Sequence, residues 1–214
     1  MQRLIQNCNR IHNNYHAIAN VYKNVTYIGS ISCSFIIYML LFFFNQCGSN
    51  VHNAIHHLAL FKSFLLYDSS YLELLHHYIQ YYSLQLLFNP NIQNCNENII
   101  NGMKIVYCLL FTPIFSNIKY YVPANQINVR FMLDIFGSIA FFYYRTQFNY
   151  YFWINNGFQS MDDYINMNDA IKNKVYTSLV SHFIFNIFCL MNVYWGYKII
   201  KILNYKITKY IKHE

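Results

Sequence analysis

The fold is decided by a stretch of twenty residues, 25–44, which reads VTYIGSISCSFIIYMLLFFF. It contains no Asp, Glu, Lys or Arg, and an α-helix needs about 20 apolar residues to cross a hydrocarbon core of roughly 30 Å. A second uncharged stretch, residues 175–197, is at least as long. Both stretches therefore predict transmembrane helices.

Four further stretches between these two have the length of a helix but contain ionisable side chains. They are residues 51–68, 72–88, 99–122 and 131–154. None of them shows the alternation of period two that is typical of a strand. Polar turn residues separate them, most clearly around Pro90 and Pro123. We therefore predict an all-α fold, a multi-pass transmembrane bundle of about six helices.

Charge patterning agrees with a membrane protein and predicts its orientation. Charged residues make up 11% of the chain, against about 25% in typical soluble domains. The net charge is +7, and basic residues concentrate near both chain ends. Because cytoplasmic loops are enriched in Lys and Arg, both termini should be cytoplasmic, which requires an even number of spans. The basic residues flank apolar stretches, which favours a membrane surface over nucleic acid as the partner.

Cys47 and Cys95 fall in two polar loops that this topology places on the same side of the membrane. The chain has six cysteines and no CxxC pair. A disulfide between Cys47 and Cys95 is therefore compatible with the sequence, which does not decide whether it forms.

Ionisable side chains inside the predicted spans are the candidate functional residues. A charge in hydrocarbon is costly, so such groups tend to face a bundle interior or a cavity. Seven of them form the candidate site, namely Lys62, Asp68, Glu73, His76, His77, Arg145 and His182. Adjacent histidines on a helix point about 100° apart, so one of them can face a cavity while the other packs. His76 and His77 are candidates for a general base or proton shuttle, or alternatively for interhelical hydrogen bonding.

Pro113 is expected to kink the span 99–122, because proline removes one backbone donor within a helix. The kink either makes room for a lipid chain or serves packing alone. We predict that one interior cavity is lined by Asp68, His76, His77, Pro113 and Arg145.

Histidines at spacings of four and five residues suggest a different chemistry. They occur at His12 and His16, and again at His52, His56 and His57. Such spacings place imidazoles on one helix face and resemble the histidine boxes of di-iron membrane desaturases and hydroxylases. The two groups fall on opposite sides of the membrane in the predicted topology. We therefore expect no tightly bound metal and no cofactor, and a di-iron lipid oxidase is the least favoured alternative.

Six segments, taken in order, form a recognisable pattern. They are NRIHNNYHA (9–17), FLLYD (64–68), HH (76–77), TPIFSNIK (112–119), FFYYR (141–145) and LMNVYWGYK (190–198). Together they resemble the TLC (TRAM, LAG1, CLN8) family of membrane proteins. The resemblance implies a transmembrane domain over residues 9–205. A cytoplasmic tail of residues 1–8 precedes it, and a basic cytoplasmic tail of residues 206–214 follows it.

Departures from the family pattern indicate which branch the chain resembles. Many relatives carry Glu four residues before the proline, where this chain has Leu109, and the ceramide-synthase branch adds acidic residues after its histidine pair. Here the corresponding residues 89–102 contain Glu97 as their one acid. The resemblance therefore implies lipid binding, sensing or homeostasis in the endoplasmic reticulum or a related endomembrane. An acyl-CoA-dependent acyltransferase using His76 or His77 is the enzymatic alternative, and neither the lipid nor any protein partner is named by the sequence.

Overall fold

A computed structural model describes residues 2–65, 71–87, 95–155, 157–167 and 174–211. Within these ranges the chain forms helices and their connections and no strand, so the predicted all-α fold is confirmed. The eight α-helices of this part are α1 Gln2–Leu41, α2 Asn50–Ser63, α3 Tyr71–Leu87, α4 Glu97–Cys108, α5 Ile114–Tyr121, α6 Ile127–Asn149, α7 Gly157–Met167 and α8 Lys174–Ile211. A 3-10 turn, Leu109–Phe111, joins α4 to α5, and a π-helical turn, Tyr150–Ile154, extends α6.

Polar caps define where two of these helices begin. Ser49 accepts a hydrogen bond from the backbone N–H of His52 at 3.2 Å, and Asn96 accepts one from Ile99 at 2.9 Å. A capping side chain satisfies one of the orphan donors of the first helical turn. Gly48, just before the first cap, has a φ of +72°, which is a conformation that favours glycine.

Three helical segments of the described chain are long and apolar enough to cross a membrane. They are Ala17–Leu41, Glu97–Tyr121 and Ser178–Thr208, and they overlap the predicted first, fourth and last spans. Helix α2 has 14 residues and is therefore about 21 Å long at roughly 1.5 Å per residue. The structure thus supports a membrane protein, whereas the total of six spans and the cytoplasmic termini stay predictions.

Apolar side chains on the outside and small polar ones inside distinguish these helices from those of a soluble bundle. Phe35 on α1 is 56% exposed and Phe183 on α8 is 67% exposed. Facing inward, Ser30, Ser34 and Ser181 are buried. Small and hydroxyl-bearing residues between helices are typical of membrane bundles, where packing and hydrogen bonds replace the hydrophobic effect. The outer surface therefore suits contact with lipid tails.

One end of the bundle, the disulfide end, is defined by the disulfide between Cys47 and Cys95, whose Cα atoms are 5.8 Å apart. Around it pack the fully buried side chains of Phe44, Ile99 and Met103. The disulfide joins the loop before α2 to the loop before α4. The predicted topology places both loops on the same side of the membrane, which is compatible with this bond.

The predicted break at Pro113 is present. Helix α4 ends at Cys108 and α5 begins at Ile114, with the 3-10 turn between them. The backbone N–H of Thr112 donates to Leu109 at 3.3 Å instead of continuing the α-helical pattern. Proline cannot donate and crowds the preceding turn, which explains the position of the break.

Candidate functional site

An elongated cavity of about 530 Å³ lies between α3, the α4–α5 break, α6 and α8. Its wall on α6 runs from Asp134 to Phe148, which is about 21 Å of helix at roughly 1.5 Å per residue. Ligand sites for small molecules typically measure roughly 300–1,000 Å³. The cavity therefore has the size and the shape to hold an extended amphiphile.

Arg145 is the most constrained cation of the cavity wall. It is 7% exposed, and its NH1 group donates to the Asn192 side-chain oxygen at 2.6 Å. Its guanidinium carbon lies 5.3 Å from the ring centroid of Phe141 and 5.6 Å from that of Trp195. Asn192 is held in turn, because its amide donates to Asn149 at 2.9 Å. Cation–π contacts and the Asn192 bond fix the guanidinium in the bundle interior.

Lys62, in the last turn of α2, brings a second buried cation to the same cavity. It is 3% exposed. Its ammonium donates to the Ser34 hydroxyl at 2.5 Å and to the Leu110 carbonyl. Leu110 belongs to the 3-10 turn ahead of Pro113. The helix break therefore supplies an acceptor that orients Lys62.

The two adjacent histidines both line this cavity. The His76 ring packs edge-on against Phe188 and Trp195, with centroid distances of 5.7 and 5.1 Å. Its Nδ1 has no hydrogen-bond partner in the described part of the chain. His77 is buried as well, and the two imidazole centroids are 5.7 Å apart. Both side chains thus lie on the wall of the cavity, and His76 in addition packs against aromatic rings of α8.

A group of charged residues, Lys119, Arg130, Asp134 and Lys206, is called here the charged end. It lies at the end of the cavity opposite the disulfide end. Asp134 accepts hydrogen bonds from Lys119 and from Lys206, each with a shortest distance of 2.5 Å. Nearby, Arg130 donates to the carbonyls of Val122 at 2.5 Å and Lys119 at 3.2 Å. These bonds join α5, α6 and α8 at one end of the bundle.

Of the predicted cavity residues, the structure brings together His76, His77, Pro113 and Arg145. Asp68 lies outside the described residues. Among the wider set of candidates, Lys62 joins the cavity, whereas His182 lies 3.1 Å from Asp162 and packs on Phe158 away from it. That the cavity residues contact a lipid stays a prediction.

Two residues around Arg145 were not predicted, because only ionisable side chains were taken as candidates. Asn192 and Trp195 carry no charge, yet one binds Arg145 and the other covers both Arg145 and His76. A signal was available in the spacing along α8, where the inward residues are Phe185, Phe188, Asn192, Trp195 and Ile199. Steps of three and four residues place side chains on one helix face.

Two histidines of the second group lie in the packed core of the disulfide end, whereas the third, His57, is exposed. His52 and His56 are buried, and the His52 ring is 4.9 Å from that of Phe44. The backbone N–H of Gly48 donates to His52 Nδ1 at 3.2 Å. Within the described ranges, no three side chains of His, Cys, Asp or Glu come together as a metal-binding group would.

No family model, no curated protein and no solved structure matches this chain. The resemblance to TLC proteins therefore stays a prediction from the sequence, and the function has to be argued from the cavity.

Proposed function

We propose that this chain is a multi-pass membrane protein of TLC type that binds a membrane lipid inside its helical bundle, acting in lipid sensing or homeostasis in an endomembrane. The observation that supports this most is the elongated cavity, which combines buried polar groups with aromatic walls. Cavities between the helices of a bundle are a common position for ligand sites.

The lining of the cavity suits an acyl chain over most of its length. Apolar side chains from four helices contribute to it, namely Leu84, Val106, Leu133, Phe141, Phe148, Phe185 and Phe188. Removing apolar surface from water is favourable by a free energy of roughly 25 cal/mol per Å². A lipid chain in the bilayer already has apolar surroundings, so the selectivity has to come from the polar wall residues.

The orientation that we propose places the charged end in the cytoplasm and the disulfide end in the lumen. Disulfides persist in oxidising compartments such as the endoplasmic reticulum lumen, and the one disulfide of the described residues joins Cys47 to Cys95. Lys119, Arg130 and Lys206 belong to the opposite end, as the enrichment of cytoplasmic loops in basic residues would require. Labelling of single introduced cysteines at Asn125 and Asn155 with an impermeant thiol reagent tests this orientation.

The proposed lipid site is tested by filling the cavity. Ser138 lines it, and within the described residues its hydroxyl donates to the local backbone carbonyl of Asp134 at 2.6 Å. Ser138→Trp should displace copurified lipid, as quantified by mass spectrometry of protein purified in a neutral detergent. Ile139→Trp is the matched control, because Ile139 is the next residue of α6 and points outward.

Equal lipid content in both variants and the wild type would contradict a lipid in this cavity. A loss in Ser138→Trp alone, with both variants monodisperse and equally helical, is the expected result.

An acyl-CoA-dependent acyltransferase is the second candidate, supported by the His76 imidazole, whose Nδ1 has no partner in the described part of the chain. Acyl transfer needs a base near the attacking group and donors for the oxyanion. We expect no ceramide synthase activity, because residues 89–102 hold Glu97 as their one acid. Amide formation from a sphingoid base and an acyl-CoA by reconstituted protein, lost in His76→Ala or in His77→Ala, would favour the enzyme instead.

A further inference from the structure

The cavity contains two buried cations without a counter-charge in the described part of the chain. Neither Lys62 nor Arg145 forms an ion pair with a carboxylate of those residues, although both are almost fully buried. A buried charge is costly unless it is paired and hydrogen-bonded. The one carboxylate on the described cavity wall, Asp134, is already bound by Lys119 and Lys206.

Arg145 in addition has donors to spare. A guanidinium carries several N–H donors in a planar fork that matches a carboxylate or phosphate. Within the described residues, its NH1 is used by Asn192 and its Nε has no partner at all. Buried polar groups without partners are rare and call for an explanation. An anion at this point of the cavity would satisfy the free donors and the charge together.

The surroundings hold the guanidinium in place before a ligand arrives. Asn192 fixes one edge of it, and the rings of Phe141 and Trp195 cover it. Lys62 is likewise oriented by Ser34 and Leu110. A preorganised pair of cations binds an anion without first losing side-chain entropy.

We propose that Arg145 and Lys62 bind the anionic headgroup of a single-chain amphiphile, a carboxylate or a phosphate monoester, while its chain occupies the apolar part of the cavity. The position of the acyl chain rests on the proposed function, whereas the anion site can exist without a bound lipid. His76 and Gln80, whose Nδ1 and Nε2 atoms have no partners in the described residues, are further contacts for the headgroup.

The first arm of the test compares four probes on the purified full chain in neutral detergent: palmitic acid, its methyl ester, palmitoyl lysophosphatidic acid and inorganic phosphate. Binding is followed by thermal unfolding and by titration of Trp fluorescence, because Trp195 lies against Arg145. At least one anionic amphiphile should bind about 10- to 100-fold tighter than the ester, as expected for charge-assisted hydrogen bonds. Whether the acid or the lysophosphatidic acid leads identifies the headgroup.

The second arm removes the cation. Arg145→Gln should weaken binding of the anionic amphiphile about 10- to 100-fold and leave binding of the ester unchanged. Arg130→Gln is the matched control, because Arg130 bonds to backbone carbonyls outside the cavity. Lys62→Met is the second variant if Arg145→Gln does not fold, and the probe comparison on the wild type needs no variant.

The outcomes separate the two proposals. If palmitic acid and the lysophosphatidic acid both bind no tighter than the methyl ester, the anion site is overturned and the lipid cavity is left standing. Binding of inorganic phosphate as tightly as the lysophosphatidic acid would support the anion site and contradict the lipid chain. Binding of none of the four probes would overturn both.

Discussion

The disulfide end and the charged end of this bundle are held together by different interactions. At the disulfide end a covalent bond joins Cys47 to Cys95, and Tyr151 donates to the Asn98 carbonyl at 2.8 Å. At the charged end Asp134 holds two lysines, and its side chain is 21% exposed. Asp134 and Tyr151 are separated by about 25 Å along the α6 direction at roughly 1.5 Å per residue.

From this difference we expect that the disulfide end contributes more to stability and that a ligand enters at the charged end. Close-packed cores resist opening, whereas exposed ion pairs contribute little to stability. The wall of the cavity includes Asp134 and Lys198 but not the disulfide. If the chain binds a lipid as proposed, we expect the lipid to enter near the charged end, because the disulfide end is covalently joined and closely packed.

Loss of the disulfide should have the largest effect on stability. The bridge closes a loop with a sequence separation of 48, which corresponds to about 4 kcal/mol in the chain-entropy estimate. The Cys47→Ala/Cys95→Ala double variant should therefore melt well below the wild type in detergent. Cys108→Ala is the control, because Cys108 forms no disulfide. An unchanged melting temperature, or a wild type indifferent to reductant, would contradict the contrast between the two ends.

Packing at the disulfide end should give the next largest effect. A Cβ at Gly102 would meet the Tyr151 ring and hydroxyl at 2.7–2.8 Å, and the hydrogen bond to Asn98 keeps that ring in place. Gly102→Ala should destabilise the protein by about 1–3 kcal/mol, as overpacking does. Gly29→Ala is the matched control, because its Cβ would meet only the flexible end of Leu65 at 3.1 Å. Equal melting temperatures of both variants would show that the disulfide end is less rigid than its packing indicates.

How far the sequence predicts this molecule depends on the kind of signal. The uncharged runs fall in α1 and α8, because length and apolarity alone determine that a stretch can span a membrane. The break at Pro113 was also predictable, since proline acts on its own turn. Helix α2 is shorter than the predicted 51–68, because hydropathy does not reveal where a helix ends without a cap or a breaker.

The candidate site shows a sharper limit. His76, His77 and Arg145 were chosen by the cost of burying them, and that cost does place them on the cavity wall. Their partners were not predictable from it, because Asn192 binds Arg145 from 47 residues away. From the sequence alone, Lys62 near the end of a span could equally extend its ammonium to the membrane surface. Its burial follows from Ser34 and from the Leu110 carbonyl beside the proline break, which are contacts between distant segments.

The smallest effect on stability is expected at the charged end. Asp134→Asn removes the charge that Lys119 and Lys206 share, and these side chains are 20–34% exposed. Solvent-exposed pairs are worth roughly 0.2–1 kcal/mol each, and these half-buried pairs are still partly screened, so the melting temperature should fall much less than in the disulfide variant, and less so in high salt. Because the two bonds join α5 and α8 to α6 beside the cavity, bound lipid should nevertheless exchange faster. Asp163→Asn, on the exposed face of α7, is the control for loss of one carboxylate. A stability loss as large as that of the disulfide variant would show that the charged end is needed to hold the helices together. An unchanged exchange rate of a fluorescent lipid would show that the ligand enters elsewhere.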